Sequence, residues 1–250
     1  MPDRVLSLMA HPDDAEFLCA GTLIRLKNEH GFDVHIASMT GGDCGSVEQD
    51  GQAISRIRRG EGAKAAALIG AAYHCLEERD LLVVYNATTL EKVTRLLRQV
   101  RPALVLTHSL VDYMLDHEMT GTIARAAAFA APIPNFLADR QLGAVLEHIP
   151  HLYYCDPIEG KDPLGNALAP GFRIDISKVM DTKANMLAAH ASQRLWLLKH
   201  HGMDHYLQAM RDWSARRGAE VGVAFAEGFR QHLGHSYPQD NVLEQLLGIC

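Results

Sequence analysis

What the sequence lacks narrows it first. Its five cysteines, Cys19, Cys44, Cys75, Cys155 and Cys250, are an odd number with no CxxC pair, which points away from a disulfide framework and toward reduced thiols. Lysine and arginine number 24 against 30 acidic residues, a formal charge of −6, so the basic face of a general nucleic-acid binder is missing. The local run Arg56-Ile57-Arg58-Arg59 reads as a solvated helix face. No apolar stretch approaches the ~20 residues that span a bilayer. The opening Met1-Pro2-Asp3-Arg4 has neither a signal peptide's apolar core nor a lipidation motif. A cytoplasmic protein with no membrane or nucleic-acid partner is expected. Internal repeats, low-complexity segments and linkers are absent too, so one domain over residues 1–250 is expected. A chain this long buries roughly 70–75% of its unfolded surface without staples.

What is present is an alternation of strand and helix signals. Val5–Met9 reads as a first strand, Asp14–Asn28 as a helix and Asp33–Met39 as a second strand. A helix over about 54–69 ends at Gly70, and Leu81–Tyr85 reads as a short strand. Leu90, Val93, Leu96, Leu97 and Val100 mark a helix that Pro102 stops, and Ala103–His108 is apolar enough to be a central parallel strand. A helix over 118–131, strands at His151–Cys155 and Phe172–Ile176, and a long helix over 178–199 follow. Helices are expected again near 204–217 and 219–231. This order predicts an α/β fold: a Rossmann-like, mostly parallel sheet with helices on both faces and extra C-terminal helices.

Two clusters carry the chemistry. His11-Pro12-Asp13-Asp14 stands at the end of the first strand, where open α/β sheets place their ligands. His11 and Asp14 have the spacing of two metal ligands on one turn, and Asp13 is left over between them. The second cluster, Thr107 to Glu118, opens after the central strand and brings His117 to the start of a helix. His11, Asp14 and His117 would make a catalytic zinc site with an open position for water, whose pKa such a site lowers to about 7. Asp13 could then take the proton of that water and return it to a leaving amine. Asp116 could orient a ring nitrogen from behind. Singly, Asp13-Asp14 reads as a helix N-cap and His117 as a capping histidine; two such clusters behind two apolar strands reverse that balance.

Ala10-His11-Pro12-Asp13-Asp14-Ala15-Glu16 and Asp112-Tyr113-Met114-Leu115-Asp116-His117 resemble the PIG-L (LmbE-like) deacetylases. The resemblance extends to Arg58-Arg59-Gly60-Glu61 and Ala189-His190-Ala191-Ser192-Gln193. It implies a Rossmann-like fold and metal-dependent removal of acetyl from an N-acetylglucosamine moiety, a small N-acetylated sugar or its glycoside. It implies His11, Asp14 and His117 as ligands of zinc, or of iron(II), and Asp13 as general base. Arg58 matches a family arginine on the substrate side of the pocket; a helix salt bridge is the alternative. One position departs. Where the family commonly has a histidine that steadies the oxyanion, this chain has Met114, which cannot donate a hydrogen bond. Tyr113, His108 and His190 are the candidate replacements, each with a core role as its alternative. Two other readings stand beside the deacetylase: a zinc amidase acting on a larger conjugate, or, because of Met114, a low-turnover metal- and sugar-binding protein.

The remaining features read as structural. The loop Thr40-Gly41-Gly42-Asp43-Cys44-Gly45 lacks the spacing and lysine of a phosphate loop, and neither Cys44 nor Cys19 has a partner histidine to activate it. His200, His201 and His205 read as surface, and Trp196 and Trp213 as core or interface. Apolar residues near the end, Trp213, Phe225, Phe229, Leu246 and Leu247, suggest a homo-oligomer.

Overall fold

The computed structural model describes residues 3–194 and 205–248. It contains strands β1 (Arg4–Met9), β2 (Asp33–Thr40), β3 (Ala72–Glu78), β4 (Leu104–Thr107), β5 (His151–Cys155), β6 (Phe172–Asp175) and β7 (Ala226–Gln231). Its helices are α1 (Asp14–Leu18), α2 (Ala20–His30), α3 (Gly51–Ala67), α4 (Ala87–Val100), α5 (Leu115–Ala130), α6 (Met180–Ala188), α7 (His205–Ala219) and α8 (Val242–Leu247). The strands form one sheet in the order β3-β2-β1-β4-β5-β7-β6, parallel except for β7, which runs antiparallel to both its neighbours. The Rossmann-like, mostly parallel α/β arrangement expected from the sequence is therefore present, with α7 and α8 as the added C-terminal helices.

Period-two alternation along β1 sorts its side chains between two cores. Val5 and Met9 pack with α2 residues Leu23, Ile24 and Leu26, while Leu6 and Leu8 pack with Val93, Leu96 and Leu97 of α4 and Ile123 of α5. The chain builds outward from β1 through β2 to β3, then crosses back to add β4 on the other side of β1. That reversal leaves a crevice beyond the C-terminal ends of β1 and β4. Both chemical clusters follow those two ends.

Four segments differ from their sequence expectation. Leu81–Tyr85 is not a strand: Leu81 has φ 65, and the N–H groups of Leu81 and Val83 go to the Asp116 carboxylate at 2.6 and 3.3 Å instead of to a ladder. The neighbouring strand is β3, a partly exposed edge whose mixed residues gave no apolar run. The expected helix at 219–231 is absent: its second half is β7, whose Gly228 packs closely on Pro170, and turns precede it. The first helix is broken at Cys19, with φ −143, and α2 restarts beneath Glu227, whose carboxylate accepts the N–H groups of Gly21 and Thr22 at 2.9 and 2.7 Å. Lys183 donates to the same carboxylate at 2.5 Å, and the pair is buried. The helix expected over 178–199 is interrupted: α6 ends at Ala188, residues 191–194 are helical again, and 195–199 lie outside the described residues. Trp196, His200, His201 and Cys250 lie outside the described residues. Among the described residues, no helix is long and apolar enough to cross a membrane.

Candidate active site

The loop leaving β1 is shaped by its sequence. Pro12 has no N–H to donate, and Asp13 adopts φ 105, ψ −23, a left-handed conformation that costs a residue with a Cβ on the order of 1–3 kcal/mol. The chain then enters α1, and the His11 N–H closes the turn on Asp14 Oδ2 at 2.8 Å. On the other side of the crevice, α5 starts at Leu115 and carries Asp116 and His117 in its first turn.

These two loops bring His11, Asp14 and His117 together. One ligand atom from each lies within 4.8 Å of the others, and the three residues are buried. His11 Nδ1 is 3.2 Å and His117 Nε2 is 3.6 Å from Asp14 Oδ2. The far nitrogen of each ring rests on a second carboxylate: His11 Nε2 on Asp116 Oδ2 at 3.3 Å, and His117 Nδ1 on Asp112 Oδ1 at 2.9 Å. Asp116 is in turn held by the 81–85 loop, and Asp112 receives the Met114 N–H at 3.2 Å. Such outer carboxylates set the tautomer and orientation of metal-binding imidazoles.

The electrostatics have the same character. Burial alone would lower the His11 pKa, but hydrogen bonds to Asp116 and Asp14 overcome it and push the value up to about 10. Burial would raise the Asp14 carboxyl, yet His117 and His108 hold it well below the usual range. Asp14, Asp112 and Asp116 around two imidazoles give the pocket a surplus of carboxylates, which a divalent cation satisfies. Two imidazoles, one carboxylate and their outer carboxylates thus fit a metal with nitrogen and oxygen ligands. Replacing Asp112 with alanine is expected to weaken metal affinity about 10–100-fold, measured by competition with a chromogenic chelator; unchanged affinity would show that Asp112 does not support the ligand set.

Asp13 stands beside this cluster, on the wall of a cavity of about 490 Å³ that also includes His11, Asp14, His117, Arg58 and Tyr113. Its Oδ2 accepts a hydrogen bond from the Tyr206 hydroxyl at 2.5 Å and lies 3.4 Å from Arg58 Nη2. Burial raises its pKa, with the Arg58 guanidinium pulling the other way. Arg58 is itself buried and donates to the Pro12 carbonyl at 2.8 Å.

Of the three candidate donors near Met114, the cavity receives only Tyr113, 64% exposed, with its ring edge-on to His117. His108 is fully buried behind Asp14, stacked on His117. Its Nε2 lies 3.0 Å from the Ala10 N–H and 3.1 Å from Asp14 Oδ2, and one nitrogen can serve only one of them. His190 is fully buried with Nε2 3.5 Å from Glu16. Sequence reading missed two members of the site. Asp112 sat inside a quoted motif, but its partner depends on a loop whose course no spacing gives. Tyr206 lies far along the chain in no motif. Cys44 also lines the cavity, and burial and the Asp43 carboxylate raise its thiol pKa, against a nucleophilic role.

Residues 6–128 match the family described as PIG-L: GlcNAc-PI de-N-acetylase. The diacetylchitobiose deacetylase of Thermococcus kodakarensis is 26% identical over 242 residues, covering 91% of this chain and 82% of that protein. The 4-oxalmesaconate hydratase of Pseudomonas putida is 25% identical over 240 residues, covering 90% and 88%. Among solved structures, the 4-carboxy-2-hydroxymuconate hydratase of Pseudomonas putida superposes with a TM-score of 0.78 at 21% identity, over 96% of this chain and 100% of its own.

Proposed function

We propose, for a chain whose residues 6–128 are a PIG-L family domain, that it is a zinc-dependent N-deacetylase acting on a small N-acetylglucosamine-type sugar or its glycoside. The observation that carries this reading is Asp13: a largely but not fully buried carboxylate, its side chain 14% exposed, on the cavity wall next to a ligand set it does not join. The metal, zinc or iron(II), would be held by His11, Asp14 and His117, and when bound would supply Lewis-acid activation of water and of the amide carbonyl. Asp13 takes the proton of the attacking water and delivers it to the departing nitrogen, so that amide and water become acetate and amine. Asp112 and Asp116 keep the two imidazoles oriented, and the raised Asp13 pKa suits a group that must both accept and return a proton. Met114 lines the cavity and offers no donor; of the two tyrosines on the described lining, Tyr206 is engaged with Asp13, which leaves the Tyr113 hydroxyl. The same reading has a homo-oligomeric, cytoplasmic enzyme, in keeping with the free thiols of Cys19, Cys44, Cys75 and Cys155.

The hydratase relative, similar along nearly the whole chain, supports a second reading in which the same base directs water to a carbon–carbon double bond. The charge of the cavity argues against a substrate rich in carboxylates. Asp13, Asp14 and Asp80 line it, while Arg58 is its only described lysine or arginine and is already engaged with Pro12. The test is a panel of N-acetylated sugars and of unsaturated carboxylates, incubated with metal-replete protein. Acetate and free amine in equal amounts are expected from the sugars. Loss of ultraviolet absorbance from the carboxylates, with no acetate from any sugar, would establish the hydratase instead. Release of longer acyl groups in preference to acetyl would identify an amidase, and tight sugar binding without turnover a binding protein.

A further inference from the structure

We infer that Tyr206 is a positioning residue that aims the Asp13 carboxylate, an inference that rests on the deacetylase reading only in assigning Asp13 the proton transfer. Both donors that reach Asp13, the Tyr206 hydroxyl at 2.5 Å and the Arg58 guanidinium at 3.4 Å, converge on the same oxygen, Oδ2. Among the described residues, no hydrogen bond reaches Oδ1. Rotation about the bond carrying the carboxylate is therefore blocked, and one oxygen is kept free on a residue that lines the cavity. Because Arg58 is anchored to the Pro12 carbonyl, the residue just before Asp13, it follows the loop. Tyr206 instead approaches from a separate element, α7, and ties the loop to it.

The helix bearing Tyr206 is built to hold its place. Met210, one turn on, is fully buried in the core shared with α2 and α6. Toward its C-terminal end, Arg217 donates to Asp156, the residue that follows β5, at 2.6 Å and to Glu220 at 2.6 Å, and its guanidinium lies 4.4 Å from the Trp213 ring centroid. A phenol on such a support has little freedom, and burial keeps it protonated, so it remains a donor. The Asp13 backbone, held at positive φ, gives the side chain a fixed origin, and the phenol fixes its direction. Catalysis is steep in such geometry: about 1 Å of misplacement can cost on the order of 10²-fold.

The experiment is a double-mutant cycle. Tyr206→Phe keeps the ring and removes the donor; it is expected to lower kcat by about 10–10²-fold with KM and metal content unchanged, because the hydroxyl faces Asp13 and not the substrate. In an Asp13→Asn background the same change is expected to have no further effect on the residual rate, the non-additivity of residues acting through one another. An equal fold-loss in both backgrounds, or a rise in KM at constant kcat, would overturn the assignment. Should the wild-type protein release no acetate from any sugar, the deacetylase reading fails and the clasp is tested by thermal denaturation of the same four proteins. A Tm shift from Tyr206→Phe that vanishes in Asp13→Asn supports it, and additive shifts refute it.

Discussion

Asp13→Ala is expected to lower kcat by about 10²–10⁴-fold while the protein keeps its full complement of metal. The expectation follows from where the carboxylate is engaged. Its Oδ2 is occupied by Tyr206 and approached by Arg58, and it is not one of the three groups whose ligand atoms converge within 4.8 Å. Removing it takes away a proton acceptor and leaves His11, Asp14 and His117 untouched. Asp13→Asn is the better-behaved companion, since asparagine tolerates the left-handed backbone that Asp13 adopts, whereas alanine retains the strain without a side chain to hydrogen-bond locally. Initial rates with metal determined by elemental analysis decide the matter. A variant near wild-type rate removes Asp13 from the mechanism, and one that has lost metal makes it a ligand.

His117→Ala is expected to abolish stoichiometric metal and, with it, activity that cannot be restored by adding zinc, whereas chelator-stripped wild type recovers. The same substitution strikes stability. Asp112 and His117 are both buried, at 2% and 1% exposure; without His117 the Asp112 Oδ1 keeps only the Met114 N–H, and its Oδ2 has no hydrogen-bond partner among the described residues. Deleting one member of a buried pair costs about 3–5 kcal/mol. Elemental analysis and Tm therefore fall together, in contrast to Asp13→Asn, where metal is retained. Full metal occupancy in His117→Ala would exclude His117 from the ligand set.

The parts of this fold and site that were legible in the sequence share a physical cause. β1 and β4 are short, apolar and central, and each is followed at once by polar residues, so the two ends of the crevice and the meeting of His11 with His117 followed from local pattern. What escaped depends on distant partners. Leu81–Tyr85 has a strand's composition, but Asp116 takes its N–H groups; Ala20 restarts a helix because Glu227 of β7 waits to accept its first amides. β3 was hidden because an edge strand exposes part of its surface and loses the apolar signature. That Asp116 supports His11, not its neighbour His117, is a matter of helix orientation that spacing does not reveal. Tyr206 reaches Asp13 through tertiary packing alone.

The late arrival of β7 has a consequence for how the molecule is made. Once residue 155 has left the ribosome, the chain holds β1 to β5 and can lay down five parallel strands, together with His11, Asp14, His117 and their supporting carboxylates. β6 then emerges with no neighbour in the sheet, since its partner is β7, and the outer edge of β5 stays open until residues 226–231 are synthesised to slide between them. Glu227 arrives on that strand and Tyr206 on the helix before it, so the cluster of His11, Asp14 and His117 precedes the clasp on Asp13 in time. A nascent chain thus brings its three convergent side chains together before Tyr206 is made to hold Asp13, and the crevice is whole only once the sheet closes.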